Sequence, residues 1–230
     1  MSKFPAILGI ARRATGNSFL SGAAPAVPVE TRQAVFERDD YTCRCCGFRS
    51  LRYQDVLHLD SDLSNNAAKN LATVCQFCGQ CFDLEQVVQM KSGFLIWMPE
   101  MEQTTLNHIA RAVYIARVSQ GPMADAARRI LDIVMTRRED VKRRIQTDDP
   151  YVLANVFRDF LGAKAYAERE TKLKGVRLFP LDRRMVREGD LEFNQFPQIL
   201  AYWRSKDGPF GGKLPAQWLE YFKDMQRAAS

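Results

Sequence analysis

An α+β fold is what the amino-acid sequence predicts: a cysteine-centred N-terminal module, a mainly helical body and an aromatic-rich C-terminal segment. Three observations predict it. All six cysteines of the 230-residue chain fall between positions 43 and 81, so they serve one local site rather than a scaffold spread over the fold. Around them, YQDVLHLD (53–60) and SGFLIWMPE (92–100) have the aromatic and β-branched character of strands, the second stopped by Pro99. From about 104 onward, apolar residues recur at helical spacing. The division that follows is a module over 1–100 and a helical and C-terminal region over 101–230, packed on it as one compact unit.

Taken in order, residues 1–27 have loop-like proportions of Gly, Ala, Ser and Pro, with one apolar stretch, FPAILGI, able to pair as a strand. PVETRQAVFERDDYT (28–42) reads as a short helix capped by Thr31, with Val35 and Phe36 turned inward. SDLSNNAAKN (61–70) is turn-rich, and LATVCQFCGQCFDLEQVVQM leads through cysteines into a helix. Residues 105–121 place Leu106, Ile109, Val113 and Ala116 on one helical face and end at Gly121. The next helix, 123–146, carries Ile130, Ile133, Val134, Val141 and Ile145. After Asp148-Asp149-Pro150 a third helix is expected over 150–170, with Pro in its first turn. The tail gathers Phe193, Phe196, Tyr202, Trp203, Phe210, Trp218, Tyr221 and Phe222.

Composition excludes some classes. A chain 46% hydrophobic and 26% charged is an ordinary globular one, and no run of 18 apolar residues provides a membrane span. Arg12-Arg13 interrupts the short apolar N-terminal stretch, so no secretory signal is read and a reducing compartment is expected. The net charge of +6 is modest; a solvated surface explains it as well as nucleic acid or anionic lipid does. The basic run RREDVKRR (137–144) is mixed with Glu139 and Asp140, which fits a solvated helix face or contact with an acidic partner.

The cysteines carry the clearest chemistry. Cys43 and Cys46 form one Cys-x-x-Cys turn and Cys75 and Cys78 another, and four thiolates make a closed tetrahedral site for Zn(2+). The 28 residues between them (47–74) leave room for a hairpin and a loop. Cys45 and Cys81 are spare: each is either a small buried hydrophobe or, for Cys81, one helical turn past Cys78, a replacement ligand. A duplicated Cys-x-x-Cys without a βαβ pattern does not fit a redox site.

The order ERDDYTCRCCG, a strand histidine, then NNAAKNLATVCQFC resembles the HNH endonuclease family. That resemblance implies a ββα zinc-binding core. It also implies a strand histidine acting as general base, a metal ligand just before it, another just after the second cysteine pair, and an Asn between. His58 matches the base, and Asn65, Asn66 or Asn70 the Asn, but Leu57 and Gly79 stand where the two metal ligands belong. Phosphodiester cleavage needs an activated water and a cation on the leaving oxygen, so no catalytic residue is assigned. His58 is then a vestigial HNH position or a packing residue, and His108, mid-helix, carries no motif.

Over nearly the whole chain, RQAVFERDDYTCRCCGF, SGFLIWMPE within NLATVCQFCGQCFDLEQVVQMKSGFLIWMPEMEQTTLNHIARAVYIAR, and LAYWRSKDGPFGGKLPAQWLEYF resemble the IcmJ/DotN family of the Dot/Icm type IVB secretion system. This resemblance implies a zinc-binding, HNH-like protein without nuclease activity. It implies an adaptor role in the coupling complex, peripheral at the cytoplasmic face of the inner membrane, supporting effector delivery. Its implied partners are the C-terminal region of the coupling ATPase DotL, with IcmS, IcmW and LvgA, and neither nucleic acid nor direct membrane insertion. Aromatic residues anchor interfaces as well as cores, so Trp203, Phe210, Trp218 and Tyr221 are candidate partner-binding residues. A divalent-metal HNH endonuclease and a nucleic-acid-binding zinc module are the alternatives.

Overall fold

The computed structural model describes residues 3–11 and 27–228. Helix α1 (Val29–Arg38) begins directly after Pro28, two residues before the expected cap Thr31, and no side chain caps it. Val35 is buried, and Phe36 stacks on Tyr41 with ring centroids 6.2 Å apart. Asp40 and Tyr41, both with positive φ, then reverse the chain into the first cysteine turn.

Strands β1 (Gln54–His58) and β2 (Leu71–Cys75) pair antiparallel, with Gln54 opposite Cys75 and His58 opposite Leu71. All of β2 is buried although it has one strand partner, because α1 covers it; the Thr73 hydroxyl donates to the Val35 carbonyl at 3.3 Å. Helix α2 (Gln76–Gly79) follows without a loop. A 3-10 turn then leads into α3 (Leu84–Met90), whose first turn donates the Gln86 N–H to the Asp83 carboxylate. The stretch FPAILGI is no strand. It is a strap across this module: Phe4 N–H donates to the Arg44 carbonyl, Gly9 N–H to that of Cys81, and Gly9 accepts from Leu84 N–H.

Strand β3 (Gly93–Trp97) finds its partner far along the chain in β4 (Val176–Pro180), with Leu95 opposite Leu178. Between them lie α4 (Gln103–Arg117), α5 (Pro122–Ile145) and α6 (Pro150–Asn155). Helix α6 starts at Pro150 with the Asp149 carboxylate accepting the Tyr151 N–H, then widens into a π turn over Val156–Phe160. The single helix expected over 150–170 stops there. Leu161 and Gly162 are extended, glycine being a poor helix former, and only short α7 (Ala163–Ala167) and α8 (Arg169–Lys172) follow. A hairpin of β5 (Met185–Glu188) and β6 (Leu191–Asn194) turns at Gly189, and α9 (Phe196–Arg204) and α10 (Pro215–Ala228) complete the chain.

The β3–β4 ribbon separates two apolar cores. Phe94, Ile96 and Phe179 face one, with the cysteines and Trp203; Leu95, Val176 and Leu178 face the other, with Val87, Val141 and Leu153. Burial on both faces is why SGFLIWM is a continuous apolar run rather than an alternating one. Its outer edges are closed by non-strand groups: Leu95 N–H donates to the Asp148 carbonyl, and the Gln103 side chain both accepts from and donates to the backbone of Leu178. Along α5 the buried line is Ala124, Ala127, Val134 and Val141. That line leaves Ile130 and Ile133 outside it, 39% and 60% exposed.

Candidate metal centre

The first cysteine turn is built by its backbone. Cys43 N–H donates to the Phe48 carbonyl and Gly47 N–H back to Cys43, closing a tight loop with Gly47 at φ +77°, a conformation that favours glycine. Arg44 N–H donates to the Thr73 carbonyl at 2.8 Å, which lays this loop against β2 two residues before Cys75. Cys75 ends β2 and Cys78 sits one turn into α2, so the strand-to-helix junction aims both sulfurs at the loop.

The Sγ atoms of Cys43, Cys46, Cys75 and Cys78 all lie within 4.8 Å of one another, and Cys46 and Cys75 are 3.7 Å apart. Tetrahedral zinc with Zn–S of about 2.3 Å separates its sulfurs by about 3.8 Å. The donor set therefore fits Zn(2+) in number, type and spacing. The electrostatics agree. Hydrogen bonds from Cys45, Cys46 and their neighbours hold the Cys43 thiol well below its usual value, while burial pushes Cys75 up and the Cys43 hydrogen bond pushes Cys78 up. The Cys46 thiol is lowered too, to about 5, so two thiols ionise at the expense of the other two, and a divalent cation is what lets all four ionise together. Of the two spare thiols, Cys45 is buried beside Cys43 and Cys78, and Cys81 donates to the Phe77 carbonyl at 3.4 Å. Both stand outside the four-cysteine group.

Helix α4 supplies a layer that sequence reasoning missed. Asn107 Nδ2 donates to Cys78 Sγ at 3.3 Å, and Arg111 Nη2 to Cys75 Sγ at 2.6 Å. Gln103 Nε2 donates to Asn107 Oδ1 at 3.0 Å, so Gln103, Asn107 and Arg111 form a polar comb at i, i+4 and i+8. A signal was present: three polar residues at that spacing interrupt the buried face that Leu106, Ala110 and Tyr114 occupy. His108 is beside the centre too. Its Nε2 bonds the Cys46 carbonyl at 2.9 Å, and the Cys46 side chain, acting against burial, raises the imidazole pKa.

The other predicted residues fall elsewhere. His58 Nε2 is 3.0 Å from Asn66 Oδ1, at a shallow cavity of about 220 Å³ that Asp55, Leu57, Gly79 and Asp83 also line. Asp60 is engaged by Asp62 N–H, Asn65 and Asn70, and Asp62 by Ser64. Trp203 is 3% exposed and meets Phe77, Phe48 and Phe196 edge-on at 5.6–5.9 Å. Phe210 stacks on Trp218 at 5.4 Å, both half-buried against the same core. The Tyr221 side chain lies outside the described residues.

Fold and site together define an α+β protein closed around a four-cysteine centre that α4 backs with donors. The chain is 35% identical over 152 residues to Type 4 apparatus protein DotN of Legionella pneumophila subsp. pneumophila strain Philadelphia 1, an alignment spanning 64% of this chain and 71% of the relative. It belongs to the DotN family. No protein-family model matches it. Among the described residues, no helix is long and apolar enough to cross a membrane.

Proposed function

We propose that this chain is a non-catalytic, zinc-stabilised adaptor of the Dot/Icm type IVB secretion apparatus. In this reading it binds the C-terminal region of the coupling ATPase DotL, in company with IcmS, IcmW and LvgA, and supports effector delivery. It is cytoplasmic, held at the inner membrane through that complex. The observation that carries the reading is the closed four-cysteine centre in a DotN-family chain: Cys43, Cys46, Cys75 and Cys78 would hold the ion and leave it no open position for chemistry. Bound there, zinc supplies structure, tying the 42–49 loop to the β2–α2 junction.

Antiparallel β1 and β2 followed by α2, with a cysteine pair on either side, supports an HNH-like core. Its catalytic positions support a non-enzymatic role. Leu57 and Gly79 line the cavity beside His58 and offer no metal-ligating atom, and Asp60 and Asp62 are held by loop hydrogen bonds. Because Trp203, Phe210 and Trp218 pack against the core, partner contact is expected on exposed α5, where Ile130 and Ile133 lie beside the exposed Arg128 and Arg129. Such a face suits an acidic amphipathic segment.

Calorimetric titration of the zinc-loaded protein with the C-terminal segment of its cognate coupling ATPase tests this. One-to-one binding, weakened by Ile133→Asp, is expected; absence of binding by folded protein refutes the adaptor role. Metal-dependent nicking of plasmid DNA that His58→Ala abolishes would establish the nuclease alternative instead.

A further inference from the structure

We propose that Arg111 is the charge-compensating residue of the metal centre, binding the thiolates from outside and holding the site in its loaded, anionic form. The proposal rests on the zinc reading above. Arg111 is 1% exposed, and a guanidinium stays protonated in a protein. A buried cation needs an anion, yet among the described residues no carboxylate is one of its partners. Nη1 donates to the Asn107 carbonyl at 3.2 Å and lies 3.5 Å from His108 Nδ1, and Nη2 lies 2.6 Å from Cys75 Sγ and 3.8 Å from Cys46 Sγ. The remaining neighbours are aromatic faces: the guanidinium carbon is 4.2 Å from the Phe48 ring centre and 5.1 Å from that of Phe77.

The anion that this cation answers is therefore the sulfur cluster. Four thiolates around a divalent ion carry a net charge of −2, buried in an apolar core, which is itself unfavourable without a compensating charge. Arg111 halves it. With Asn107 on Cys78, donors from α4 reach three of the four sulfurs, which is what outer-layer groups do when they orient ligands and tune a metal site. The rings of Phe48 and Phe77 lie against the guanidinium, which is closed off from water. The competing account is that Arg111 only packs between those rings.

The experiment compares the 230-residue protein with Arg111→Met, which keeps the packing volume and loses charge and donors. Zinc affinity is read at one fixed pH by competition with a chromogenic chelator, and the cobalt-substituted forms are read by absorption. Expected are a zinc affinity about 10–100-fold weaker in R111M and a thiolate-to-cobalt charge-transfer band moved to longer wavelength, because the sulfur lone pairs lose a stabilising cation. An R111M protein with unaltered affinity and band overturns the proposal. Should R111M not fold, Arg111→Lys and Arg111→Gln decide: both lose the fork between the rings, but only Lys keeps the charge. Zinc binding tighter in R111K than in R111Q supports compensation, and equal affinity overturns it. A parent protein that binds no zinc would overturn the metal reading and this one with it, whereas zinc uptake by the parent beside an unaltered R111M defeats this one alone.

Discussion

Asp39→Ala is expected to destabilise the zinc-loaded protein by about 3 kcal/mol. The Asp39 side chain is fully buried and accepts from Arg38 (2.9 and 3.0 Å), Arg44 Nη1 (3.3 Å) and Thr73 N–H (2.8 Å). It thus pins the end of α1 and the residue after Cys43 to β2. Breaking a buried ion pair costs about 3–5 kcal/mol, and an orphaned buried N–H about 1–3 of that. The lower end applies because Arg38 is partly exposed and keeps the carbonyls of Ala68 and Leu71. For a chain of this size each kcal/mol moves Tm by about 2–4 °C, so calorimetry at fixed zinc should register a fall of about 6–12 °C. The effect has a pH signature. Burial opposes the Asp39 charge, but the Arg38 and Thr73 hydrogen bonds outweigh it and hold the carboxyl below its ordinary 3.8. A depressed folded pKa gives stability that is whole above the unfolded value and lost as pH falls through the folded one. The gap between the two proteins should therefore be constant at neutral pH and close below about pH 4. Acid also protonates the thiolates, but in both proteins alike. A Tm fall under about 2 °C, or a gap indifferent to acid, would refute the assignment of Asp39 as the staple.

Further outcomes follow from the same structure. Cys75→Ser should give protein that is insoluble or zinc-free, since structural zinc contributes folding energy directly; a folded variant with a full equivalent of zinc by elemental analysis would show that Cys75 is not a ligand. Leu178→Ala, at a fully buried position in β4, should cost about 2–5 kcal/mol in denaturant unfolding, and a loss under about 1 would mean the ribbon is not the shared wall of the two cores. Gly175→Ala should destabilise by more than about 1 kcal/mol. Gly175 has φ +94°, and an added Cβ would meet the Trp97 ring at 2.6 Å. An unshifted Tm would contradict that contact.

The parts of this architecture legible in the sequence are those with local signatures. The paired cysteines sit at ligand spacing, α4 and α5 carry long apolar periods, and β1 and β3 read as strands because β-branched and aromatic residues crowd there. What was not legible depends on distant partners. β4 has no counterpart among the strands read from the sequence, because VRLFP becomes a strand only when β3, about 80 residues earlier, offers its edge. Ile130 and Ile133 of α5 have the right period and the wrong phase, since small Ala124 and Ala127 are what let that helix approach its neighbour, whereas Ile145 does pack against a core. Arg111 hid for a related reason. In a helix containing Arg117 and His108 it looks like surface charge, and only the fold turns it toward sulfur.

The cysteine centre governs more than its own loop. Cys43 and Cys46 come from a turn, Cys75 and Cys78 from β2 and α2, and the donors from α4. Phe48 and Phe77, the rings that hold Arg111, are also those on which Trp203 of α9 packs, and Phe48 meets Phe210 as well. Sulfur cluster, guanidinium, rings and C-terminal helix are thus consecutive layers of one stack. On the zinc reading proposed above, stripping the metal would remove the reason for a buried cation and the cation would leave the ring pair, which is the seat of α9. Loss of zinc is accordingly expected to loosen the C-terminal helices along with the 42–49 loop. Hydrogen exchange on the chelated protein would show deprotection at Phe196–Arg204 if the stack is continuous, and deprotection confined to the loop if it is not.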